Sequence, residues 1–428
     1  MKGFRLLGVG FTLALVFALF VGTASAVDIT FRYNFPDPKE IKAALKVFHK
    51  ENPDIKVTLE TGSFKDARDN FLREAAVGQG PDLVHLAFVW IRDLGIAEAL
   101  LPINDMIKSK GLGKGWDDFI ATDLTTDDSG NIFGIPWATD TWAMIYRTDV
   151  LDAAGVTKIP ETWDELKAVS KQIKDKTGKI GFGFPAGTSG VNTIWFIANY
   201  YWWSNDVSLV VRDKDGNYVP GITPKDIAEV IAYYDAYFKE GHNPEGNLSI
   251  SDPMDPTVLE LLTRGEQGIA TMPIFTFNGV LKSWKKRNPG KTPPFTTALV
   301  PHGKGKSTTH LGGQSLGINA NTEHPEEVWR LVQFLCSERV FSELYTSYYP
   351  SQYSLMKKVS FPKEMEGFRA QYSAARSWGA YSSGPVAIGA MWNQTARSFG
   401  SAFIGEKTYD EAAQELYDFI VEQLKKKK

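Results

Sequence analysis

Two acidic pairs, Asp117/Asp118 and Asp127/Asp128, are the nearest the chain comes to the paired carboxylates of acid–base catalysis. Both stand in polar loops, where capping and solubility account for them. His302-Gly303-Lys304-Gly305-Lys306-Ser307-Thr308 ends like a phosphate-binding loop, but Val300 stands where that loop requires its first glycine. Gly111-Leu112-Gly113-Lys114-Gly115 lacks the third glycine of a dinucleotide fingerprint. The six histidines and one cysteine show no metal-ligand spacing, and no nucleophile elbow is present. No catalytic residue, cofactor site or metal site is therefore assigned. What remains is aromatic and hydroxyl-bridging chemistry. The chain carries 12 Trp, 16 Tyr and 26 Phe, many in segments without helical or strand periodicity. A pyranose offers a weakly polar C–H face to an aromatic ring, and an equator of hydroxyls that Asp, Asn, Gln or Arg can bridge. Sugar binding needs what this chain has.

One stretch gathers these groups at a join. Ile132 to Arg147 reads as two short apolar runs linked across Gly134 and Pro136, with Trp137, Asp140 and Trp142 between them. Strand, aromatic crossing, strand is the pattern of a chain passing between two lobes beside a cleft. Trp142, inside the strand run, reads as core.

The elements around that crossing follow from periodicity. Ile29, Phe31 and Tyr33 alternate as a strand. Ile41, Ala44, Leu45 and Phe48 follow at helical spacing behind Asp37-Pro38, and Ile55, Val57 and Leu59 alternate again. A helix over 66–77 leads to Pro81–Ala87, an apolar run suited to a parallel sheet covered on both faces. This βαβαβ order predicts an open α/β sheet, whose ligands lie at the carboxyl ends of its strands, here Asn34–Asp37 and Phe88–Trp90. Thr162 with Glu165, and Thr408 with Glu411, spell capping boxes, and Asp215-Gly216 marks a surface hairpin. Trp195, Phe196, Tyr200, Tyr201, Trp202 and Trp203 put six rings in nine residues, which predicts an exposed aromatic face on that helix. Gly268–Met272 and Gly312–Ile318 are further apolar crossings. With no repeat and no linker, the lobes are expected to share strands rather than follow one another.

At 428 residues the chain exceeds a single core. Lys2 and Arg5, an apolar run over 6–21 and Ala24-Ser25-Ala26 form a cleavable export signal over residues 1–26, and no cysteine follows it to take a lipid anchor. Removing it takes the formal charge from −3 to −5, which argues against nucleic acid as a partner. Cys336 cannot form an internal disulfide and reads as a small buried hydrophobe.

Gly80–Val84, Gly134-Ile135-Pro136 running into Met144–Arg147, Pro160–Leu166, Gly312–Ile318 and Met391-Trp392 together resemble the carbohydrate-binding group of extracellular solute-binding proteins, the maltose-binding-protein-like receptors of ABC importers. The resemblance covers nearly the whole chain beyond residue 26. It implies a periplasmic, non-enzymatic monomer whose two α/β lobes close on a sugar and dock on membrane permease subunits. It implies lobe I from 27–138 plus 271–316, lobe II from 139–270 plus 317–428, and hinge strands near 137–142, 268–273 and 314–320. The acidic cleft residue falls on Asp140, the stacking Trp on Trp392, and the aromatic after the second hinge strand on Phe277 or Phe275. Beside the paired Gly312 and Gly313 of the cleft, Gln314 takes the place where many members carry Trp, so a hydroxyl contact replaces a stack. Asn34 or Asp37 contributes from the first lobe, with a helix cap the equal reading of Asp37. Trp90, Trp195 and Trp378 read equally as stacking rings and as core, and Arg376 equally as a hydroxyl ligand and a surface ion pair. A glycan-acting exported enzyme, and a receptor for a polyamine or metal chelate, are the rival readings.

Overall fold

A computed structural model describes residues 26–35, 37–189, 192–345 and 347–425. All but the last residue of the expected export signal lies outside them. Strands β1 (Val27–Tyr33), β2 (Ile55–Thr61) and β3 (Leu83–Ala87) run parallel, joined by the helices Lys39–Glu51 and Ala67–Ala75. Alternation decides the faces. Ile29, Phe31 and Tyr33 point into one core with Ile41, Leu45 and Phe48, while Val84 and Leu86 point into another with Phe71. Three more strands complete this sheet: β4 (Ile135–Asp140), β11 (Gly312–Ile318) and β12 (Tyr349–Pro350), in the order β12-β4-β11-β3-β1-β2. A second sheet has the order β10-β5-β9-β6, from Phe295–Ala298, Trp142–Arg147, Gln267–Pro273 and Ile180–Phe182. Along β5, Trp142, Met144 and Tyr146 enter one core and Ala143 and Ile145 the other, so both faces are covered. A hairpin of β7 (Ser208–Arg212) and β8 (Tyr218–Gly221) turns at Gly216, whose φ of +82° suits glycine. Thr162 and Glu165 form the expected capping box.

The two sheets are the cores of two lobes, and among the described residues the chain passes between them three times. Asp140 ends β4 and Trp142 opens β5. The second passage is Thr309–Gly312, leading into β11, and the third follows β12, after which Met356, Val359 and Phe361 pack in the second lobe. The lobe boundaries expected above need correction. Residues 271–311 belong to the second lobe, since Met272 and Phe277 pack with Ile145 beneath its sheet. Residues 317–345 belong to the first, where Ile318, Val328, Leu331 and Leu335 join Phe31 and Leu83. The segment 268–273 is thus an interior strand and not a hinge, and the crossing expected at 314–320 comes a few residues earlier.

The helix Thr193–Trp203 also departs from expectation. Trp195, Phe196, Tyr200, Trp202 and Trp203 are all buried, and only Tyr201 is half-exposed. The helix is enclosed on every side by the sheet, the helices Pro224–Lys239 and Ile388–Phe403 and the segment around Trp378, so its rings need no exposed face.

Cys336 is buried at the end of the helix Pro325–Leu335, and burial raises its thiol pKa well above the ordinary value. A thiol reagent should leave the native protein unlabelled at pH 8 and label one cysteine after denaturation, as read by mass spectrometry.

Candidate ligand-binding cleft

Asp140 stands at the first passage between the lobes, opposite Gly312 in the register of β4 and β11. Its carboxyl is buried, and no side-chain donor pairs with it among the described residues. Burial without a counter-charge pushes its pKa up to about 7. The titratable groups facing it are the phenols of Tyr200, Tyr348 and Tyr372, raised chiefly by burial and further by Asp140, and the His310 imidazole beside Gly312. His310 is held neutral by burial, its pKa lowered to about 3. A buried carboxylate with no cation is costly in a folded chain. It is suited to accepting hydrogen bonds from an incoming molecule.

Aromatic rings approach from both lobes. On the first, Trp137, Tyr345, Tyr348 and Phe35 stack in a row, with centroids 4.6, 4.9 and 5.6 Å apart and ring planes within 17°. Phe64 continues it 5.1 Å from Phe35, and Trp90 lies 4.9 Å from Phe64. The inner two rings are buried and the outer four are half-exposed. On the second lobe, Trp195 stacks on Trp378 at 5.4 Å and on Trp392 at 6.0 Å, with planes 21° and 20° apart. Of these three only Trp392 is half-exposed; Phe196 meets its face edge-on at 5.1 Å. Phe275, on the first turn of the helix Ile274–Arg287, reaches Tyr348 across the lobes at 6.0 Å.

The residues singled out from sequence therefore divide. Asp140, Trp90 and Trp392 have half-exposed or unpaired functional groups at this junction. Trp195 and Trp378 are core rings supporting Trp392. Phe277 is fully buried between Phe295 and Phe368, so Phe275 is the ring at the junction. Asn34 is buried at the carboxyl end of β1, its amide donating to the His85 carbonyl at 2.6 Å. Asp37 is exposed and accepts from the Lys39 backbone amide at 3.1 Å, so it serves the turn into its helix. Gly313 has φ +142°, and a side chain there would meet the Ala138 carbonyl at 2.2 Å and the Phe88 ring. Gln314 lies inside the sheet between Ala87 and Ala138, buried, with its Oε1 unpartnered. Arg376 makes no surface ion pair among the described residues; its guanidinium lies 4.9 Å above the Trp203 ring. Sequence reasoning passed over Phe35, Phe64, Tyr348, Tyr372 and His310. The density of Phe341, Tyr345, Tyr348 and Tyr349, and a histidine two residues before paired glycines, were the available signals.

In this two-lobe α/β architecture the chain crosses repeatedly beside a carboxylate lined by aromatic rings. The chain belongs to the bacterial extracellular solute-binding protein family, whose pattern matches residues 34–340. A binding protein of Brucella abortus (strain 2308) is 25% identical over 295 residues, covering 68% of this chain and 66% of that one. The chain thus aligns with about two thirds of the length of that relative. The arabinooligosaccharide-binding protein of Halalkalibacterium halodurans is 31% identical over 145 residues, 32% of this chain and 31% of the other. Among solved structures, the GacH receptor of Streptomyces glaucescens superposes with a TM-score of 0.78 at 20% identity, covering 94% of this chain and 100% of that one. The sugar-binding protein MalE of Xanthomonas citri superposes at 0.74 with 21% identity, over 93% and 97%. These likenesses carry the fold. Among the described residues no helix is long and apolar enough to cross a membrane, and no group of three or more His, Cys, Asp or Glu could hold a metal ion.

Proposed function

We propose that this protein captures a sugar or oligosaccharide between its lobes and delivers it to the membrane permease of an ABC importer. It acts as an exported, soluble monomer and carries out no chemical step on its ligand. The observation that carries the reading is Asp140: a buried carboxylate without a cation, flanked by half-exposed rings of both lobes. Rings accept the C–H faces of a pyranose, and the carboxylate accepts from its hydroxyls. Relatives named for arabinooligosaccharide, maltotriose and lactose binding support the same ligand class.

Titration calorimetry with a panel of arabino-, malto- and galacto-oligosaccharides tests it, alongside chromatography of each sugar after incubation. At least one sugar should bind at micromolar concentration, be recovered unchanged and shift the Trp emission. Trp392→Ala should weaken that binding by about 1–3 kcal/mol. Shortened sugar products would make it an enzyme. A polyamine or metal chelate that binds where every sugar fails would replace the carbohydrate reading.

A further inference from the structure

His310 sits on the second passage between the lobes, two residues before Gly312, and every part of it is fixed. Its Nδ1 lies 2.8 Å from the Tyr200 hydroxyl. Its ring is packed by Trp378 at 4.9 Å, Phe196 at 5.0 Å and Tyr200 at 6.0 Å, the last nearly parallel at 11°. Its carbonyl accepts from Thr141 Oγ1 at 3.0 Å, and Thr141 Oγ1 lies 2.7 Å from Thr309 Oγ1. The imidazole therefore keeps one orientation relative to the Asp140 crossing. Its other nitrogen, Nε2, borders a notch made by a missing side chain. The point where a Cβ on Gly312 would stand is 2.3 Å from Asp140 Oδ1 and 2.8 Å from His310 Nε2. Two polar atoms from two different passages thus border one point, and any residue larger than glycine would occupy it.

A neutral imidazole has one N–H and one lone pair, and the partner of one nitrogen decides what the other offers. A Tyr200 O–H that donates to Nδ1 would leave the proton on Nε2, beside the carboxylate. We propose that His310 Nε2–H and Asp140 together grip a single ligand hydroxyl above Gly312, His310 donating to the oxygen and Asp140 accepting its proton, with Tyr200 as the positioning residue that holds the tautomer. This rests on the sugar-capture reading and sharpens it. A hydroxyl both donates and accepts, so it satisfies both partners. An ammonium only donates and would leave the Nε2–H facing a cation. The pair therefore selects a neutral polyol over a polyamine, and a site built to bind a hydroxyl rejects the analogue lacking it.

The experiment compares wild type, His310→Phe and Gly312→Ala with the best-bound sugar and its monodeoxy analogues by calorimetry, with melting curves confirming that each variant is folded. One monodeoxy analogue should bind wild type roughly 10- to 100-fold more weakly than the parent sugar. His310→Phe should bind the parent as weakly as that and no longer distinguish the two. Gly312→Ala should lose at least as much. Long-range 1H–15N spectra of the unaltered protein need no variant: His310 should show the Nε2–H tautomer, and Tyr200→Phe should show a mixture of both. Parent-sugar affinities unchanged in folded His310→Phe and Gly312→Ala, or an Nδ1–H tautomer in wild type, would overturn the inference. No binding of any sugar by wild type would instead overturn the function on which it rests.

Discussion

Phe277→Ala is expected to cost about 3–5 kcal/mol of folding stability and to leave the ligand affinity of the folded fraction unchanged. Phe275→Ala, two residues earlier, is expected to do the reverse, lowering affinity with little effect on the denaturation midpoint. The helix Ile274–Arg287 decides this. Residues two apart stand about 200° apart around a helix, so one of these rings faces inward when the other faces the cleft. Phe277 is fully enclosed with Phe295 and Phe368 under the second sheet. Phe275 is half-exposed and meets Tyr348 of the other lobe. Urea denaturation and calorimetry on the two variants separate the effects. Wild-type stability in Phe277→Ala would show that the ring is not core.

Asp140→Asn should weaken ligand binding by about 1.5–3 kcal/mol, the range for a hydrogen bond to a charged group, and should also stabilise the free protein above neutral pH. The second effect follows from linkage. With a folded pKa of about 7 against an ordinary value of 3.8, the folded protein holds a proton that the unfolded chain has lost. Stability contributed by this group is present below the unfolded value, falls as pH rises between the two, and is fully lost above the folded value. The variant should therefore match wild type near pH 4 and exceed it at pH 8. His85 and His310 act in the other direction. Burial lowers both to about 3, so the unfolded chain gains protons first, and stability falls as pH drops below the ordinary histidine value of 6.5. Ligand affinity in wild type should rise through pH 7 as Asp140 ionises, with proton release measurable by calorimetry in buffers of different ionisation enthalpy. A Tm difference between variant and wild type that does not vary with pH would remove the buried carboxyl from the account.

Local rules carried much of the first lobe. The alternation of Ile29, Phe31 and Tyr33, the helical spacing after Pro38 and the apolar run before Phe88 each point to an element whose partners are close in sequence. Asp140 stood out as the carboxylate at the join of two apolar runs, while the ligand role proposed for it follows from the family resemblance and not from a local rule. The lobe boundaries were not legible. The runs Gly268–Met272 and Gly312–Ile318 have the same apolar character, and only pairing with distant strands sends one to each sheet. Nor does ring type reveal depth. Trp195, Trp378 and Trp392 form one stack, and which of the three meets solvent depends on where the stack ends. Phe35 and Tyr348 escaped notice because they are more than 300 residues apart and become neighbours only through folding.

The position of β11 between β3 and β4 also bears on how the chain can be made. A ribosome releases β1 through β4 early, but the strand that belongs between the last two ends at residue 318 of 428. Until then the amino-terminal sheet has a gap in its middle, and no truncated nascent chain can close it. Joining strands so far apart in sequence is slow, because loop-closure entropy must be overcome before the contacts form. The usual vectorial order, in which the first domain folds before the second is complete, is closed to this topology. The amino-terminal sheet can close only once β11 has been made.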